Sequence, residues 1–236
     1  MQSQRSSVKE KLRFSGYGKK STISPDALYS PPGWYSDHPV FEQMISILKP
    51  KLILDVGSLW GASSVRMARL AREISPADEV TVVAIDTWLG SKEHHLSMAI
   101  EEYRYGAMYD RFCENIVRSG VADLVVPFPQ TSVTAAQILA HYQIQPDLIY
   151  IDASHDYRSV LTDIEIYWKL LRNGGVLIGD DFEEPWYGVI RAVLEFTEKL
   201  GVPLQLSKAQ ASGADGVKKI SCKYVLQKGH VASPKG

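Results

Sequence analysis

The chain holds only two cysteines in 236 residues, Cys113 and Cys222, too few for a disulfide framework and without the spacing of a zinc site. A reducing cytosol is therefore the expected compartment. No apolar run approaches the roughly 20 residues needed to span a bilayer, and the N-terminus lacks the apolar core of a signal peptide. These absences predict a soluble protein without a membrane partner. A surplus of either charge is also missing: the net charge of -1 provides no basic field for nucleic acid and no acidic tail. A small-molecule substrate is expected, and association into a homo-oligomer stays open. Internal repeats are absent as well, and the length suits a single α/β core.

Three segments follow from local composition. Residues 1–22 carry Arg5, Lys9, Lys11, Arg13, Lys19 and Lys20 against Glu10 alone, which predicts a basic N-terminal extension, flexible or docked. Residues 23–227 form the single domain, and residues 228–236 read as a disordered tail.

The most informative stretch is residues 146–182. Residues 148–151 and 176–178 are short unbroken apolar runs, as in parallel strands covered on both faces. Between them Tyr157, Val160, Leu161, Ile164, Trp168 and Leu171 recur at helical spacing, and Asn173-Gly174-Gly175 supplies a stop. This is a βαβ unit, whose right-handed crossover brings both strand ends to one sheet edge, where open α/β sheets bind ligands. Asp152 ends the first strand and Asp180-Asp181 the second, so three carboxylates converge there. Their repulsion requires a cation, a basic side chain or shifted pKa values. Hard oxygen donors without sulfur suit Mg²⁺ or another divalent cation, whereas capping of the following turns is the alternative use of Asp152 and Asp180.

A strand over residues 51–56 runs directly into Gly57-Ser58-Leu59-Trp60-Gly61-Ala62-Ser63 and a helix through Leu70. In this turn Gly57 permits the sharp bend, Gly61 permits close approach of a ligand to the backbone, and the helix N-terminus offers free N–H groups. One βα unit later, the strand over residues 80–85 ends in Asp86, followed by Thr87; an ionised carboxylate there can accept hydrogen bonds from two ribose hydroxyls.

Other segments admit two uses each. Residues 22–39 are rich in turn formers yet retain Tyr29, Trp34 and Tyr35, either as core or as a wall of a substrate pocket. Residues 87–111 are polar with aromatic punctuation, a lid or a plain surface helix. His94-His95 diverge as neighbours and read as solvated. Ser132, after an edge strand over residues 124–127, either meets an adenine edge or caps the helix through His141. A final helix over residues 187–200 precedes two late strands, residues 203–206 and 221–226, with a polar loop over 207–219 between them.

Taken together, these residues resemble class I S-adenosylmethionine-dependent methyltransferases, in particular metal-dependent O-methyltransferases and the macrocin, novobiocin and cephalosporin-biosynthesis enzymes. The likeness is carried by Asp55, Gly57, Gly61 and Ser63 in a D-x-G-x-x-x-G-x-S turn, by the strand ending in Asp86, and by IDASHDY followed by LLRNGGVLIGDD. It implies a doubly wound, Rossmann-like α/β fold with a seven-stranded, mostly parallel sheet and a reversed final strand. It further implies S-adenosylmethionine over Gly57 to Gly61 with its ribose on Asp86, and metal ligands at Asp152, Asp180 and Asp181. Some such enzymes carry a further acid two residues after the first ligand, where this chain has Ser154. His155 is the nearby substitute as base, beside its other use as a turn anchor, and Asp152 is the second catalytic candidate.

The expected activity is therefore methyl transfer to a hydroxyl of a small molecule. A nicotinamide-dependent oxidoreductase is the rival reading, but Leu59 occupies the middle glycine of the dinucleotide fingerprint, and Glu165 stands where a Tyr-x-x-x-Lys pair ending at Lys169 needs tyrosine. A non-catalytic nucleotide-binding module is the third.

Overall fold

A computed structural model describes residues 4–26, 28–74, 80–92, 95, 106–213 and 215–229. Five parallel strands, β1 (Leu52–Val56), β2 (Thr81–Asp86), β3 (Val125–Pro129), β4 (Leu148–Ile151) and β5 (Val176–Gly179), are joined to an antiparallel hairpin, β6 (Gln205–Ser212) and β7 (Lys218–Gln227). The strand order β3-β2-β1-β4-β5-β7-β6 places the reversed β7 against β5. β1 to β5 are buried almost throughout, as their continuous apolar runs require of a sheet covered on both faces.

Helices α2 (Val40–Leu48), α3 (Ala62–Ile74) and α4 (Ala107–Arg118) belong to one face, where Phe41, Val65, Phe112 and Ile116 pack on Ile53, Val82 and Tyr150. The other face takes α1 (Gln4–Lys11), α5 (Ser132–His141), α6 (Tyr157–Leu170) and α7 (Tyr187–Leu200). α6 shows why its sequence is helical: Asp156 accepts from the Ser159 amide at 3.1 Å as N-cap, Val160, Ile164 and Tyr167 form the buried stripe, and Gly174 turns at φ +77° beyond its end.

The basic extension lies against the body: Val8 is buried in the α5/α6 layer, and the Tyr17 hydroxyl donates to the Val125 carbonyl at 2.9 Å. At the other end the expected tail begins too early. Lys228 donates to the carbonyls of Trp168 (2.7 Å) and Leu171 (2.6 Å), so it completes the C-terminus of α6. Residues 230–236 lie outside the described residues.

The expected polar loop over residues 207–219 is a second departure. Apart from the turn around residues 213–217, it is the pairing portion of a long hairpin, registered from Gln205–Val225 to Ser212–Lys218. Its polar residues face solvent on an edge strand, where alternation is weak and lysine is the usual blunting residue. Among the described residues no helix is long and apolar enough to cross a membrane.

Candidate active site

The strand order reverses direction between β1 and β4, and there the C-terminal sheet edge opens into a cavity of about 800 Å³. This is within the usual size range of small-molecule sites. Gly57 is essential to the junction: a Cβ on it would stand 1.8 Å from the Asp152 carbonyl oxygen, and its φ is +93°. β1 and β4 can thus close on each other, with the Asp152 amide donating to Val56 at 2.8 Å.

One half of the cavity is lined by Val56, Gly57, Leu59, Ile85, Asp86 and Thr87, with Met108 and Gln130 to Ser132 across from them. Asp86 stands at the end of β2 as expected, and its carboxylate already organises the wall. It accepts from the amides of Leu59 (2.9 Å) and Trp88 (2.7 Å). Leu59 itself takes the left-handed region, φ +42°, a conformation disfavoured for a branched residue and held here by that bond and by the Trp88 indole on its carbonyl at 2.7 Å.

Asp55 and Ser63 lie behind the wall, not on it. Asp55 is fully buried, and both the Ser63 hydroxyl (2.8 Å) and the Ser64 hydroxyl donate to its Oδ2. Burial pushes its carboxyl up to about 6 against the pull of these hydroxyls. Gly61 also serves packing: a Cβ there would meet Phe112 and Ile116 of α4 at 3.0–3.1 Å, and its φ is +88°. Ser132 lines the cavity but does not cap α5; Thr131 does, accepting from the Thr134 amide at 3.1 Å.

The other half holds the acids, and Asp180, one of the expected metal ligands, has a basic neighbour there. One step beyond the registered pairs Ile151–Gly179 and Gly179–Tyr224, side chains 152, 180 and 223 fall in a row across β4, β5 and β7. Lys223, fully buried, forms an ion pair with Asp180. The Tyr150 hydroxyl stands 2.7 Å from Asp180 and 3.1 Å from Asp152, and Lys223 donates to it at 3.2 Å. The required countercharge is thus a basic side chain for Asp180. Asp152, Asp181 and His155 are the group whose donor atoms lie within 4.8 Å of one another. His155 Nε2 is 2.8 Å from Asp181 Oδ2, a spacing that either a shared proton or a bound cation can bridge. Two carboxylates and an imidazole in this spacing fit a divalent cation. Neither Asp152 nor Asp180 caps a helix, since Asp156 takes that position on α6 and Trp186 on α7, but Asp180 accepts the Asp181 amide at 2.9 Å and so serves the turn that follows β5. Burial and the neighbouring Asp180 and Asp181 push the Asp152 carboxyl up to about 8, partly offset by Lys223 and His155.

His155 is fixed from two sides. Trp186 stacks on its ring at 4.0 Å, and Gly188 at the start of α7 lets this happen, since a Cβ there would stand 2.4 Å from the His155 carbonyl oxygen. Trp34 and Tyr35 close the cavity from the opposite side, so of the two uses open to this segment the wall applies to them. Gly33 sits on Ala62, and Asp37 accepts from the Ser212 amide and hydroxyl, both at 2.7 Å, which ties the strap to β6. Tyr29 packs elsewhere, with its hydroxyl on Asn115 at 2.5 Å.

From residues 87–111, Trp88 is buried against Tyr109 and Phe112, which is core packing; Tyr103, Tyr105 and His94 lie outside the described residues. His95 is exposed, as is His141. The sequence reading missed Lys223, Tyr150, Trp186 and Gly188. A lysine and a tyrosine inside otherwise apolar strands were the available signals for the first two.

This arrangement is the nucleotide edge and acid cluster of a class I S-adenosylmethionine-dependent methyltransferase. Residues 54–182 match the family model described as a methyltransferase domain, and the chain belongs to that family. Solved structures of similar fold include an O-methyltransferase from Bacillus cereus in complex with SAH, at 21% identity and TM-score 0.56, covering 94% of this chain and 91% of that one. Another is the O-methyltransferase TomG from Streptomyces achromogenes, involved in tomaymycin synthesis and in complex with SAM. It is 18% identical at TM-score 0.56, with 93% and 90% covered. A putative rRNA-methylase from Clostridium thermocellum is 11% identical at TM-score 0.54, with 79% and 92% covered. The chain also matches an uncharacterized protein of Acanthamoeba polyphaga mimivirus, 29% identical over 62 residues. That match spans 26% of the chain and only about a quarter of the relative, 27%.

Proposed function

We propose that the chain is an O-methyltransferase acting on a hydroxyl of a small molecule, with S-adenosylmethionine in the Gly57–Asp86 half and a divalent cation, Mg²⁺ or a similar ion, at Asp152, His155 and Asp181. The observation that carries this reading is the opening of both halves into one cavity, so that a methyl donor and a proton-accepting cluster face the same space. The cofactor supplies a sulfonium methyl, and the cation lowers the pKa of a bound hydroxyl.

The chain's own part is positioning and proton handling. Asp86 offers its remaining lone pairs to vicinal ribose hydroxyls, and Val56, Ile85 and Met108 supply apolar walls. Asp152, Asp181 and His155 would hold the cation, whose charge would keep Asp152 ionised against the burial and the neighbouring acids that otherwise raise it. Trp186, stacked on the His155 imidazole, holds it in one orientation and keeps water from that face. Methylation makes an O–CH₃ bond, breaks the S–CH₃ bond, and releases the hydroxyl proton to solvent.

Transfer of a labelled methyl from S-adenosylmethionine to a panel of phenols and sugars, with and without chelator, tests the reading. Turnover that chelation stops and Mn²⁺ restores is expected. Cofactor binding without turnover of any acceptor counts against it.

A further inference from the structure

The acceptor half of the cavity is acidic beyond what the reaction needs. Asp86, Asp152, Asp180, Asp181, Glu183 and Glu184 line the cavity, against Lys219 at its exposed rim. Lys223 neutralises Asp180. A sulfonium cofactor and a divalent cation would balance Asp86, Asp152 and Asp181, which leaves Glu183 and Glu184 facing the acceptor. Glu184 is exposed and engaged by the Tyr187 hydroxyl. Glu183 is half-buried, held by the Cys222 backbone amide, and has no ion-pair partner among the described residues. The aromatic residues Trp34, Tyr35 and Trp186 line the same cavity. The negative field is felt across the cavity: after burial, Glu183 and Asp181 are the main causes that raise the Tyr35 hydroxyl.

Carboxylate and aromatic faces together are the chemistry that selects a cation, through a charge-assisted hydrogen bond and the ring quadrupole. The same lining repels phosphate and carboxylate. Resting on the O-methyltransferase reading, we propose that the acceptor carries a protonated amine beside its hydroxyl, as an amino sugar or amine-bearing phenol does, and that Glu183 is its ammonium partner. Anionic acceptors such as coenzyme A thioesters and RNA are selected against.

The test measures binding to the full-length chain saturated with S-adenosylhomocysteine and Mn²⁺, using two charge-matched sets: dopamine, catechol and 3,4-dihydroxybenzoate, and glucosamine, glucose and glucuronate. In at least one set the amine should bind roughly five- to tenfold more tightly than the neutral member, a modest ratio for a half-exposed pair, and the acid should bind weakest. Glu183→Gln should abolish the amine's advantage with the affinity for S-adenosylhomocysteine unchanged, and Glu183→Asp should restore part of it. The proposal is overturned if neither amine is preferred, including the case in which no probe binds, or if the preference survives Glu183→Gln. Failure of the chain to bind S-adenosylhomocysteine would instead remove the underlying methyltransferase reading.

Discussion

Replacing Lys223 by methionine tests the claim that this lysine, and not a metal, neutralises Asp180. The two side chains are 0% and 4% exposed, and among the described residues Asp180 has the Tyr150 hydroxyl at 2.7 Å, a Ser221 hydroxyl at 3.5 Å and the Asp181 amide at 2.9 Å as further partners. Methionine keeps the apolar stem in contact with Phe41 and Tyr150 but strands the carboxylate. Removing one member of a buried pair costs about 3–5 kcal/mol. Asp180→Asn should cost a similar amount by stranding the ammonium. The double variant should be far more stable than the sum of the two losses, because it leaves no buried charge. Urea unfolding at pH 7, with slopes compared to detect changes in the unfolded state, gives all four corners of the cycle. A loss under about 1 kcal/mol for Lys223→Met would refute the reasoning. So would recovery of that loss on adding Mn²⁺, since the ion would then be using the Asp180 charge itself.

Four further outcomes are expected. Asp55 has its folded pKa raised from 3.8 to about 6, so its contribution to stability is fully present below the unfolded value and is lost as pH rises through about 6. The difference is about 3 kcal/mol, and Asp55→Asn should remove that much of the pH 3-to-7 change in urea stability; identical pH profiles for both proteins would contradict the burial argument. Asp181→Asn should abolish Mn²⁺ binding followed by electron paramagnetic resonance and leave stability nearly intact, whereas equal metal loss in Asp180→Asn would return Asp180 to the ligand set. Asp86→Ala should weaken S-adenosylhomocysteine binding by about 2–3 kcal/mol in calorimetry, since it removes a charged acceptor and the tether on Leu59; unchanged affinity in a folded variant would sink the ribose assignment. Gly188→Ala places a methyl 2.4 Å from the His155 carbonyl and should lower turnover at least tenfold with cofactor affinity unchanged, measured side by side.

The backbone plan of this protein was legible in its sequence because it rests on local signals. Continuous apolar runs marked β1, β2, β4 and β5, three- and four-residue spacing marked α6, and glycines marked the turns after β1 and α6. Asp86 and Asp152 follow from the same logic, since a polar residue ending a buried strand must lie at the ligand edge. What pairs with what was decided only in three dimensions. Lys223 stands 43 positions from Asp180, and nothing but the antiparallel register of β7 against β5 sets them opposite each other. That one pairing gives Asp180 a buried basic partner, while the fold sets His155 beside Asp152 and Asp181. The same holds for Gly57 and Gly61, which look alike in sequence. One meets a neighbouring strand's backbone beside the cavity and the other meets the side chains of α4, and close packing at each contact determines which glycine faces the ligand.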